Sequence, residues 1–155
     1  MAAQANATAD SVIDASVDDV WHLISDGRRI VAWWPKAERA EDVQGGRFTL
    51  VLRSSRGVPV RMDWRITEAR RGRLLRLEQD IDGTPFARAL GHSRIEISLE
   101  GTDDGRCRAS LRVERSLRQR GVGVGLLGRR ASRRHARELL DRLERVATAG
   151  TEADD

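Results

Sequence analysis

An α+β domain, an antiparallel sheet covered by one long C-terminal helix, is the fold class this sequence predicts, and three observations predict it. Apolar residues recur at every second position through most of the stretch from Phe48 to Val113. That is the period of strands with one packed and one wet face. From about Gly125 to Thr148 the apolar residues recur instead at steps of three and four, as on one face of an amphipathic helix. Ahead of both lies Ser11 to Pro35, which reads as a short strand, a helix and a second short helix. A long amphipathic helix needs a surface to cover, and the apolar face of the sheet is the only large one on offer.

The first elements are set by local chemistry. Ser16 is a good N-cap with Asp19 three residues on, a near match to a capping box. Val17, Val20, Trp21 and Ile24 then fall on one helical face. Asp26-Gly27 ends that helix, and Asp26 is placed to cap a second one from Arg28 to Trp34, which Pro35 stops. Phe48, Leu50 and Leu52 alternate with Thr49, Val51 and Arg53, and Val60, Met62, Trp64 and Ile66 alternate with Arg61, Asp63 and Arg65. The pattern repeats in Leu75, Leu77, Gln79 and Ile81, in Ile95, Ile97 and Leu99, and in Cys107, Ala109, Leu111 and Val113. Turn signals separate these runs at Gly45-Gly46, Arg56-Gly57, Arg71-Gly72, Asp82-Gly83 and Asp103-Asp104-Gly105. The intervening wet positions mix signs (Arg61, Asp63, Arg65, Arg76, Glu78, Arg94, Glu96, Arg112, Glu114), as a salt-bridged outer face does, and lack the exposed aromatics of a nucleic-acid platform.

Composition sets the outer bounds. The 155 residues read as a single domain with a core from about 10 to 148 and flexible tails at 1–9 and 150–155. The stretch lacks both a membrane-spanning apolar run and a signal-peptide pattern, which predicts a cytoplasmic protein. Cys107, the only cysteine, fits a reducing compartment, and the absence of clustered His and Cys predicts no metal site and no cofactor. Of the 28 basic residues all but Lys36 are arginine. Eight of them (115, 118, 120, 129, 130, 133, 134 and 137) fall between Arg115 and Arg137 without an acid among them. This basic stretch predicts a peripheral contact with an anionic membrane or with RNA.

Gly123, Gly125 and Gly128 spell GxGxxG, but the residues beyond Gly128 read as one helix and a tail, with no second strand to carry the acid that a dinucleotide site needs. The glycines read better as a mobile entry to the helix. The apolar Val122, Val124, Leu126 and Leu127 beside them, flanked by arginine, suit a tip that touches an anionic bilayer. Polar residues on inward positions are few: His135, Gln79, Ser93 and Arg88. The sequence has no tyrosine, His22 neighbours Trp21 on the first helix, His92 has the outward parity, and Cys107 reads as inert packing.

Strand, two short helices, about six strands and a long helix is the order of the helix-grip fold. The sequence resembles the START-like SRPBCC superfamily, in particular its polyketide cyclase/dehydrase and lipid-transport branch. The resemblance rests on Val12-Ile13-Asp14-Ala15 leading into Val20-Trp21, on Ser25-Asp26, and on Ala32-Trp33-Trp34-Pro35. It continues in Asp63-Trp64-Arg65 followed by Glu68 and Arg71-Gly72, and it covers about residues 10–148. It implies a curved antiparallel sheet of about seven strands wrapped around the C-terminal helix, with a cavity between them closed at one end by the two short helices. It further implies a hydrophobic guest there, such as a lipid, quinone or polyketide. Trp34, Phe48, Leu50, Met62, Trp64, Leu77, Gln79, Ile95 and Ile97 would line the cavity, with Leu127, Ala131 and His135 on the helix side. Binding of that guest for transport or sequestration is the leading expectation. A cofactor-independent cyclase or dehydratase with His135 as general acid/base is the second, and an RNA- or ribosome-associated protein acting through Arg115–Arg137 is the third.

Overall fold

The computed structural model describes residues 3–119 and 121–154. Eight strands form one antiparallel sheet: β1 (Ala3–Gln4), β2 (Ala7–Ile13), β3 (Ala37–Gln44), β4 (Arg47–Arg53), β5 (Pro59–Arg70), β6 (Leu74–Asp80), β7 (Leu90–Gly101) and β8 (Cys107–Leu117). From β3 to β8 each strand pairs with its successor, and both N-terminal strands pair with β8. Helices α1 (Val17–Ser25) and α2 (Ile30–Trp33) therefore carry the chain from one end of the sheet to the other. The long helix α3 (Val122–Asp154) packs on the inner face, against β2 and β8 in particular.

The caps behave as their chemistry requires. The Ser16 hydroxyl accepts from the Asp19 amide at 3.1 Å, and the Asp26 carboxylate accepts from the Arg28 amide at 2.9 Å. The Trp33 indole is fully buried and donates to the Leu23 carbonyl at 3.0 Å, tying α2 to α1. On the outer face the mixed charges pair across strands: Arg76 with Glu96 at 3.0 Å, Arg94 with Glu78 at 2.9 Å, and Arg65 with Asp80 at 2.6 Å. Each such pair contributes little by itself, but opposite charges facing one another fix the register.

The sheet has eight strands where about seven were expected, and the two that no alternation marked are β1 and the edge strand β3. Its apolar residues, Ala37, Ala40 and Val43, are spaced by three, and register shifts and a left-handed Asp42 (φ 53°) break its alternation. Nor do residues 3–9 form a flexible tail. Ala5 is fully buried; its amide donates to the Arg115 carbonyl at 2.8 Å, and its carbonyl accepts from the Ser132 hydroxyl at 2.8 Å. Small residues look like tail by composition, yet they fit where a helix crosses close to an edge strand. At the other end, α3 runs on through Gly150 to Asp154.

The crossing explains one glycine of the GxGxxG run. A Cβ on Gly128 would lie 2.6 Å from a Leu117 methyl and 3.0 Å from the Ala5 Cβ, whereas one on Gly123 would meet nothing within 4 Å. Alanine is the better helix former by about 1 kcal/mol at either position. Gly123→Ala is therefore expected to raise stability by about 0.5–1 kcal/mol. Gly128→Ala is expected to lower it by about 1–2 kcal/mol, because Ala5 has no rotamer with which to yield. Urea unfolding of the two variants checks this; equal shifts would mean that α3 does not seat on β1 and β8 at Gly128.

Candidate functional site

Across the sheet, register sorts the inward side chains into rows. Leu77, Ile95 and Val113 lie opposite one another on β6, β7 and β8, and Leu75, Ile97 and Leu111 form the next row. All six are buried and aliphatic. The row beyond is different. Phe48 pairs with Trp64, Trp64 with Gln79, and Ser93 with Arg115. Between Gln79 and Ser93 the sheet opens, since the pairing of β6 with β7 ends at Glu78 and Arg94. An open recess of about 390 Å³ lies at that parting, where the charged Arg47, Arg65, Asp80 and Asp82 of the outer side stand beside Gln79, Ile81, Gly91 and His92.

Over this row sit residues of α2 and α3. The Trp34 ring centroid lies 5.2 Å from that of Trp64 and 5.9 Å from that of His135, the latter edge-on. Pro35 follows Trp34 and sets its backbone extended (ψ 126°), so the indole leaves the helix and enters the interior. Four polar atoms of the row are shut off from solvent and have no hydrogen-bond partner among the described residues: Trp64 Nε1, both amide atoms of Gln79, and Arg115 Nε. A buried polar group left unpaired costs about 1–3 kcal/mol, and native interiors hold few of them. Burial, reinforced by the Arg115 charge, pushes the His135 imidazole down to about 3, so His135 is neutral near pH 7.

Of the residues predicted to line a cavity, Trp34, Phe48, Leu50, Trp64, Leu77, Gln79, Ile95 and Ile97 are buried on the inner side, and Met62 is partly buried against the same core. His135 is half-buried at the edge of the helix face. Leu127 and Ala131 are corrected: Leu127 is 68% exposed and Ala131 is exposed too. The packed face of α3 runs through Gly125, Ser132, Ala136, Leu139, Leu143 and Ala147; Leu139 and Leu143 lie on it as the spacing predicts, while Ser132 and Ala136 take the places expected of Ala131 and His135. The close crossing at Gly128 selects that face by admitting only small residues. Arg88 is exposed in a 3₁₀ turn (Pro85–Arg88), and His22 is exposed with Nδ1 2.7 Å from the Asp18 carbonyl oxygen. Cys107 is buried, and that burial raises its thiol above the ordinary range.

Arg115 is the residue that sequence reasoning assigned to the wrong place. Counted by charge it headed a basic surface stretch; by strand parity it follows Leu111 and Val113 inward. Parity was the signal that could have found it. Arg120, also counted in that stretch, lies outside the described residues. No group of three or more metal-ligating side chains occurs among the described residues.

An antiparallel sheet gripping a C-terminal helix, with an aromatic and polar row between them, is a helix-grip fold. The chain belongs to the polyketide cyclase/dehydrase and lipid transport family, whose model matches residues 4–148. Solved structures agree on the fold. An aromatase/cyclase from Streptomyces sp. R1128 is 18% identical (TM-score 0.72, 93% of each chain covered). A START superfamily protein from Mycobacterium smegmatis is 11% identical (TM-score 0.68, 92% of this chain and 96% of that one). A protein from Arthrobacter aurescens is 19% identical (TM-score 0.71, 94% and 87%). No curated protein matches the sequence.

Proposed function

We propose that this protein binds an apolar or amphipathic small molecule between the polar end of the sheet and α3, for transport or sequestration. The observation that carries this reading is the set of unpartnered donors and acceptors on Trp64, Gln79 and Arg115, set among the aromatic faces of Trp34, Phe48 and Trp64. Ligand sites are built this way, with apolar walls and a few fixed polar groups. The cyclase or dehydratase alternative asks His135 to act as general acid/base. An imidazole held at about 3 carries no imidazolium proton near pH 7 and is a weak base there, and this favours binding over acid/base catalysis by His135. Native mass spectrometry of protein purified from its own host tests the reading. A non-covalent small-molecule adduct that leaves on collisional activation is expected; only the bare chain, in repeated mild preparations, would contradict it.

A second feature supports loading at a membrane. At the start of α3, Val122 (82%), Leu126 (45%) and Leu127 (68%) are exposed. Arg129, Arg130, Arg133 and Arg134 beside them are exposed and make no ion pair among the described residues. An apolar tip backed by free arginines suits an anionic bilayer surface. RNA would use the arginines and gain nothing from the exposed aliphatic side chains. No helix among the described residues is long and apolar enough to cross a membrane, so the contact would be peripheral. Sedimentation with phosphatidylglycerol vesicles is expected at low salt, weakening as salt rises and falling at least fivefold in Leu126→Ser/Leu127→Ser. Unchanged sedimentation of that variant would show that the tip plays no part in membrane contact.

A further inference from the structure

We infer that the guest of the interior site is an acid, its carboxylate or equivalent anionic oxygen held by Arg115. This inference rests on the binding reading above and adds the charge of the ligand. The outer face of the sheet gives its arginines carboxylates: Arg94 reaches Glu78 and Glu114, Arg76 reaches Glu68 and Glu96, and Arg112 reaches Glu114. Arg115, turned to the inner face, has none among the described residues, and its Nε is closed to solvent without a partner. Glu114 cannot serve it, because the next residue along a strand points to the opposite face and Glu114 is already engaged there.

The groups that surround Arg115 do not neutralise it. Ser93 faces it across the strand pair, and His135 is close enough for the guanidinium charge to weigh on its titration. Ala5 and Asn6 occupy only the Arg115 backbone, through the carbonyl at 2.8 Å and the amide at 3.3 Å. A half-buried guanidinium keeps its proton at every pH of interest, so the missing partner is an anion. The planar fork of the guanidinium matches a carboxylate in geometry as well as in charge. A guest anchored there would lay its apolar body toward the Trp34 and Trp64 rings and present further oxygens to Gln79.

Two matched pairs test the charge separately from binding: decanoate with 1-decanol, and 2-naphthoate with 2-naphthylmethanol, each titrated calorimetrically at pH 7.4. The wild-type protein is expected to bind at least one acid tenfold or more tightly than its alcohol. Arg115→Met should erase that preference by weakening the acid far more than the alcohol, and Arg115→Lys should keep part of it. Equal affinities for acid and alcohol in the wild type, or a preference that survives Arg115→Met, would overturn the inference and leave the binding reading standing. If no member of either pair binds the wild type, the binding reading falls and takes the inference with it.

Discussion

Gln79→Leu is expected to make the protein more stable and a poorer binder at once. Both ends of the Gln79 amide are buried without partners among the described residues, on a face whose neighbouring rows are aliphatic. Leucine has a similar volume and no polar atom to strand, and removing an unpaired buried amide returns about 1–3 kcal/mol. Natural cores keep such groups where function requires them, so the gain in stability should come with a loss of affinity for any interior guest. Urea unfolding and calorimetric titration with 2-naphthoate on the same preparation give both numbers. A Gln79→Leu variant less stable than the parent would show that the amide serves the fold, and one that binds 2-naphthoate as well as the parent would show that it does not serve the site.

Acid lability from His135 is the second large effect. Its titration sits at about 3 in the folded protein, against an ordinary histidine value near 6.5 in the unfolded chain. Between those values the unfolded chain takes up a proton that the folded one refuses, so stability falls as pH falls. The contribution is complete above about pH 6.5, and about 2 kcal/mol of it is lost between pH 7 and pH 5. The carboxylates of Glu38, Glu41 and Glu78 are lowered, chiefly by hydrogen bonds from arginines, and lose their contribution only below the ordinary carboxylate range. The interval from pH 5 to 6.5 therefore isolates the histidine. His135→Gln is expected to flatten it in urea unfolding; an identical slope in the variant would mean that the imidazole is not excluded from water in the fold.

Much of this architecture was legible in the chain because the two periodicities are strong. The alternations from Phe48 to Val113 gave the strand faces that register confirms, and Ser16, Asp26 and Pro35 marked the early helices by local chemistry. The errors share a cause, which is that close approach between elements is a tertiary property. Ala5 and Gly128 look like tail and hinge in one dimension, and only their contact shows why both are small. At the start of α3 the packed face lies one residue on from the expected one, at Ser132 and Ala136, which leaves Leu127 and Ala131 outside, whereas Leu139 and Leu143 pack as expected. β3 hid because an edge strand with bulges needs no alternation. Arg115 was legible by parity and was masked by the arginines that come after it.

The central claim is that a guest lies between the polar row of the sheet and α3, and the four indole N–H signals of the protein test it most directly. Two-dimensional ¹H–¹⁵N spectra recorded while 2-naphthoate and decanoate are added should move the Trp64 and Trp34 indole peaks. The Trp33 indole N–H, already bonded to the Leu23 carbonyl at 3.0 Å, should move least. Saturating shifts at Trp64 and Trp34 are the predicted result. Fixed Trp64 and Trp34 peaks, with shifts confined to exposed residues, would contradict an interior site.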